Sequence, residues 1–152
     1  MPTFDYTFTV PAPLDAVRLF HHDTLALKKL TPPPIFAQIH DYEPLGEGSR
    51  AEFTLWFGPL PLRWLAIHSD VSERGFTDTQ ARGPLARWQH THRFTPVDAT
   101  HTRISEHIEY AYKPGLWGWF TRLLFGRPGL LGLFTARQWL TRWYLRGGRG
   151  GG

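Results

Sequence analysis

Between residues 35 and 113 the sequence changes character every second residue, and the connections between its alternating runs are too short to hold a helix. The runs are Ile35 to Tyr42, Ser49 to Phe57, Leu62 to Ser72, Phe76 to Arg82, Arg87 to Thr95 and Thr102 to Lys113. Between them stand "EPLGEG", "GPLP", "ERG", "GPLA" and "PVDATH", all rich in turn residues. A parallel pair needs a crossover of roughly a dozen residues or more, so linkers this short join antiparallel neighbours. The middle of the chain is therefore a meander of six strands.

The flanks supply the rest of the architecture. "TFDYTFTVPAP" alternates Phe4, Tyr6, Phe8 and Val10 against Thr3, Asp5, Thr7 and Thr9, which predicts a further half-buried strand ended by prolines. "APLDAVRLFHHD" and "LALKKL" read as two short helices, the second stopped by "TPPP", a rigid connector. In the last third, Leu130, Leu133, Phe134 and Leu140 recur at helical spacing. Pro128 and Gly129 break that pattern, predicting a short helix or loop and then a long helix over about residues 129 to 145. The fold class is α+β: a seven-stranded antiparallel sheet, two short helices after its first strand, and a long C-terminal helix laid on it. Residues 1 to 146 read as one domain, and "GGRGGG" at 147 to 152 as a tail with nothing to bury.

Several functions lose their basis here. There is no Cys for a disulfide, a thiolate metal site or a Cys nucleophile. No phosphate-binding Gly-rich loop, nucleophile elbow, HExxH or nucleotide fingerprint occurs. The apolar run at 116 to 145 is interrupted by Arg, Gly and Pro, which argues against a membrane span. The first twenty residues lack a signal-peptide pattern, making a cytoplasmic location the expectation. Charge is unevenly placed: residues after 115 carry six arginines and no acid, whereas the first 115 hold 11 basic and 13 acidic residues. A basic, aromatic end bearing Trp117, Trp119, Phe120, Leu123 and Leu124 beside Arg122 and Arg127 suits peripheral contact with an anionic membrane. An arginine-rich solvent face is the plainer account, and nucleic acid is not an expected partner.

The residues with chemistry to offer lie on the last three strand runs. If "GPLA" closes its hairpin symmetrically, Phe76 opposes Phe94, Asp78 opposes His92 and Gln80 opposes His90. If "PVDATH" does the same, His92 opposes Glu106, His90 opposes Ile108, and Trp88 opposes Tyr110. Asp78, His92 and Glu106 then form a row across three strands, on the face that also carries Trp88, Phe94, Ile108 and Tyr110. An acid, imidazole, acid row on an apolar face must be paired to be tolerated. Three accounts stand. It is a buried network fixing strand register, a ligand-orienting or acid/base site, or a two-His, one-carboxylate metal site. His68 lies on a strand of ambiguous register, and His21 and His22 read as a solvated helix end.

With its element order, "VPAPLDAVRLFHHD", "FTDTQARGPLARWQHTHRF" and "TRISEHIEYAYKPG", the chain resembles the START-like helix-grip superfamily, also called SRPBCC, over about residues 3 to 145. Within it the chain looks most like members grouped with polyketide cyclases/dehydrases and lipid-transfer proteins. The resemblance implies a curved sheet wrapped around the C-terminal helix with an apolar cavity between them. Members bind lipids, sterols, polyketides, plant hormones or quinones, and some catalyse cyclisation or dehydration. The expectation for this chain is a cavity binding a hydrophobic small molecule, with no cofactor or metal. Its expected ligand contacts are Asp78, Gln80, Trp88, His90, His92, Phe94, Glu106, Ile108 and Tyr110. The alternative is a cyclase/dehydrase-type enzyme with His92 as acid/base tuned by Asp78 and Glu106.

Overall fold

In the computed structural model, which describes residues 2–23 and 25–146, the chain begins with β1 (Thr3–Val10), α1 (Leu14–His22) and α2 (Ala26–Lys29). The meander follows as β2 (Ile35–Tyr42), β3 (Arg50–Phe57), β4 (Leu60–Ser72), β5 (Gly75–Arg82), β6 (Arg87–Pro96) and β7 (Thr102–Ala111). α3 (Gly115–Phe125) and α4 (Arg127–Leu145) complete it. The Gly-rich tail from residue 147 lies outside the described residues. The strands form one antiparallel sheet in the order β1-β7-β6-β5-β4-β3-β2, so only β1 pairs with a strand distant in sequence.

Alternation decides which face is inner. Phe4, Phe8 and Val10 of β1, Trp88 and Phe94 of β6, and Ile104, Ile108 and Tyr110 of β7 are buried. On β3, Ala51, Phe53, Leu55 and Phe57 turn inward, resolving a choice the alternation left open. The helices cover this face with a chosen stripe: Leu130, Phe134, Thr141 and Leu145 of α4 are buried, as are Val17 and Phe20 of α1. One apolar cluster gathers Phe4, Trp64, Trp88, Phe125 and Phe134, and a second gathers Phe8, Phe20, Phe76, Phe94 and Leu145 under α1.

The C-terminal region differs from expectation in where it breaks. Pro128 does not stop the long helix; it sits in the first turn of α4, where its missing N–H is not needed. The break is at Gly126, held extended at φ −75° and ψ 172° between α3 and α4. The Tyr112 hydroxyl donates to the Phe125 carbonyl at 2.8 Å, giving the end of α3 one of the partners its carbonyls lack. The Arg142 Nε donates to the Thr9 carbonyl at 3.1 Å and ties α4 to β1.

Candidate functional site

The β6–β7 ladder has the expected register, with His92 opposite Glu106 and His90 opposite Ile108. The β5–β6 ladder does not: Phe76 opposes His92, and Asp78 opposes His90. The turn explains the difference. Its ladder stops at Thr79–Gln89, and the Gln80 amide closes the remaining gap from the side. The Gln80 Nε2 donates to the Leu85 carbonyl at 2.8 Å, and its Oε1 accepts from the Leu85 N–H at 3.1 Å. Gln80, expected beside His90, therefore serves the turn and does not line the cavity.

The shifted register still brings both acids to both imidazoles, because Asp78 reaches diagonally. His92 Nε2 donates to Asp78 Oδ2 at 2.9 Å, and His90 Nε2 donates to Glu106 Oε2 at 2.7 Å. His92 Nδ1 also lies 2.9 Å from Glu106 Oε2, but out of line for a hydrogen bond, while His90 Nδ1 stands 3.7 Å from Asp78 Oδ2. The two imidazole rings are 3.9 Å apart between centroids. Two adjacent imidazoles do not both hold a charge here. Burial lowers His90, the neighbouring His92 charge lowers it further, and Glu106 does not compensate. Burial also works against His92, but the negative charges of Glu106 and Asp78, with the hydrogen bond to Asp78, overcome it and raise its pKa to about 9. Burial alone would push both acids up; instead the imidazoles hold Glu106 well below the carboxylate range and Asp78 somewhat below it.

Beside this box lies a cavity of about 160 Å³ between the sheet and the helices α1, α2 and α4. Phe53, Trp64, Trp88, Phe125 and Phe134 contribute its aromatic wall, and Asp78, His90 and His92 reach it from the strands. Of the other residues expected to contact ligand, Glu106 stands behind the two histidines and Phe94 packs against His21 with ring centroids 4.8 Å apart. Ile108 is fully buried in the core and Tyr110 packs on Trp88 and Tyr112.

Three lining residues carry chemistry that spacing alone did not reveal. His68 enters the row through the β4–β5 register, opposite Asp78, with its Nδ1 against Ser49. His21 faces inward from α1, where its Nδ1 donates to the Val17 carbonyl at 2.9 Å and burial drops its pKa to about 4. The usable signal for His21 was its place four residues after Val17, on the buried stripe of α1. Arg137, counted above only as tail charge, lines the cavity from α4. Its guanidinium makes no hydrogen bond or ion pair with any described residue, its Nε is buried without a partner, and burial lowers its pKa despite Glu106 and Asp78.

Asp78, His90 and His92 also present ligand atoms within 4.8 Å of one another, the span of a metal site. His92, however, is protonated on both ring nitrogens and donates Nε2 to Asp78, so a metal drawing on all three residues would have to displace a proton from it and compete with that carboxylate's charge-assisted hydrogen bond.

A seven-stranded antiparallel sheet packed against one long helix, with a cavity between, is a helix-grip fold. The sequence matches no protein-family model and no curated protein. Among solved structures it is similar to the Zhui aromatase/cyclase from a Streptomyces species, at 16% identity and TM-score 0.71 over 98% of both chains. Norcoclaurine synthase from Thalictrum flavum, in complex with dopamine and hydroxybenzaldehyde, aligns at 17% identity and TM-score 0.66, over 92% of this chain and 86% of that one. A nucleoside-diphosphate sugar epimerase from Corynebacterium glutamicum aligns at 24% identity and TM-score 0.70, over 94% of this chain but 29% of its own. These likenesses establish the fold.

Proposed function

We propose that the cavity binds a ring-sized hydrophobic molecule carrying an anionic or strongly accepting oxygen at one end. Arg137 carries this reading: a guanidinium at the wall of an apolar cavity, 5.4 Å from the Phe134 ring, with its Nε buried and without a hydrogen-bond partner. Desolvating a cation without pairing it is costly, and a ligand oxygen that accepts from it recovers that cost. The volume, 160 Å³, limits the ligand. Drug-sized molecules occupy pockets of about 300–1,000 Å³, whereas a dry cavity of about 150 Å³ holds a single benzene ring. Neighbours with this fold include an aromatase/cyclase, and a synthase whose structure contains the one-ring compounds dopamine and hydroxybenzaldehyde.

The test compares benzoate with the near-isosteric neutral benzaldehyde, titrated calorimetrically into the protein and its Arg137→Gln variant. The benzoate should bind more tightly, and the variant should lose roughly tenfold or more of that affinity while holding the aldehyde within about twofold. Equal losses for both probes, or no saturable binding of either, would overturn the reading.

Proton transfer to the bound molecule, as in a cyclase or dehydrase, is the second reading. His90 favours it over His92. Neutral His90, a cavity-lining residue, donates its Nε2 proton to Glu106, which leaves Nδ1 unprotonated 3.7 Å from Asp78 and able to accept a proton. His92, raised to about 9, stays protonated near neutral pH and is a weak acid there. Deuterium exchange into acetophenone in D2O, followed by NMR, distinguishes catalyst from carrier. A catalyst accelerates exchange at the methyl carbon, His90→Gln abolishes the acceleration, and a rate equal to buffer alone rejects catalysis of this type.

A further inference from the structure

α3 and α4 each use one face for the core and leave another apolar face uncovered. On α3 the inner residues are Gly118, Thr121 and Phe125, while Leu116, Trp119 and Leu123 recur on the outer side at 87%, 64% and 62% exposure. On α4, Leu131, Trp139 and Trp143 are exposed, the two tryptophans at 66% and 58%. Trp139 and Trp143 are one turn apart on the side away from Leu130, Phe134, Thr141 and Leu145, and Leu131, two turns before Trp139, borders that side. The sequence expectation for this surface changes in detail. Leu124 packs against the core and Trp117 Nε1 donates to the Pro84 carbonyl at 2.8 Å, so neither leads the outer face.

The charges carried by α3 and α4 have one sign. After Glu109 no described residue is acidic, and Lys113, Arg122, Arg127 and Arg146 are exposed around the apolar stripe. Arg127 precedes Leu131 by one turn, and Arg146 lies one turn beyond Trp143 and Arg142. The Arg146 guanidinium sits 3.6 Å above the Trp143 ring, an aromatic and a cation presented together.

We infer that the outer faces of α3 and α4 dock this protein onto an anionic lipid surface. Tryptophan rings settle at the headgroup level, leucines enter the acyl boundary, and each basic residue gains about 1 kcal/mol near an anionic leaflet. A nucleic acid would match the arginines but offers little to Leu116, Leu123 and Leu131. No helix among the described residues is long and apolar enough to cross a membrane, so the helices lie on the surface. α4 then meets lipid on one side and lines the cavity with Phe134 and Arg137 on the other.

Flotation with vesicles of phosphatidylcholine containing about 30% phosphatidylglycerol, and of phosphatidylcholine alone, tests the inference on the full chain. Binding should require the anionic lipid, weaken in high salt, and fall roughly tenfold in Trp119→Ser/Trp139→Ser. A separate Arg127→Gln/Arg146→Gln variant should lose the dependence on anionic lipid, and unchanged melting curves would show that both variants fold. Absent flotation, or flotation indifferent to both pairs, overturns the inference. So does a stable dimer that the tryptophan pair converts to monomer, since the face would then belong to a second copy.

Discussion

His90 and His92 are two residues apart on one strand and hold their protons on opposite terms. His92 lies 2.9 Å from both an Asp78 oxygen and a Glu106 oxygen, whereas His90 reaches Glu106 at 2.7 Å and Asp78 only at 3.7 Å. The proton that enters the box settles on His92 and discourages a second. A histidine raised from 6.5 to about 9 in the folded state stabilises the fold fully below 6.5, and that stabilisation drains away as pH rises through about 9. His21, His68 and His90 are lowered, so their effect has the other sign: stability falls as pH drops below 6.5. The melting temperature should peak near neutrality. Between pH 6.5 and 9 the wild type should lose on the order of 3 kcal/mol, and His92→Gln should show a clearly shallower slope over that interval, with His90 freed of its charged neighbour. Equal alkaline slopes in both would refute the assignment of the proton. At this scale the sequence disclosed much, because strict alternation on β6 turns Trp88, His90, His92 and Phe94 to one face. It could not disclose that Asp78 opposes His90, since that depends on a Gln80 amide standing in for a ladder pair in the turn.

The β4–β5 hairpin shows how an element fixes the site from outside it. The ladder jumps between Ser69 and Ser72, Asp70 takes a φ of 52°, and Gly75 begins β5 at a φ of 138°. A Cβ at Gly75 would lie 1.8 Å from the His92 carbonyl oxygen, which belongs to a ladder and has nowhere to retreat. Gly75→Ala should cost at least about 1–3 kcal/mol from backbone strain alone, with the clash in addition. Its readout is the His92 ring NMR titration, which should move toward 6.5 as β6 is pushed from Asp78; an unshifted titration would show that the hairpin does not position the box. Element ends were legible where turn residues cluster, as at β2 and β5. They were less so in the C-terminal third, where proline suggested a stop and in fact occupies a helix's first turn, while Gly126 makes the break.

For the molecule as a whole, the order of strands and helices was readable because short connections leave few topologies, and the antiparallel meander with a covering helix is one of them. The cavity was readable only as an implication of that fold. Its volume depends on how closely α4 approaches the sheet, and its polarity depends on Arg137, whose inward aim follows from helix packing and not from any local motif. One feature of that packing governs how the site comes into being. α4 follows every strand in the chain, so each member of the charged box is synthesised before the helix that covers it. Asp78, Glu106 and their histidines therefore belong to a sheet surface that becomes the floor of a cavity only through the last element of the chain.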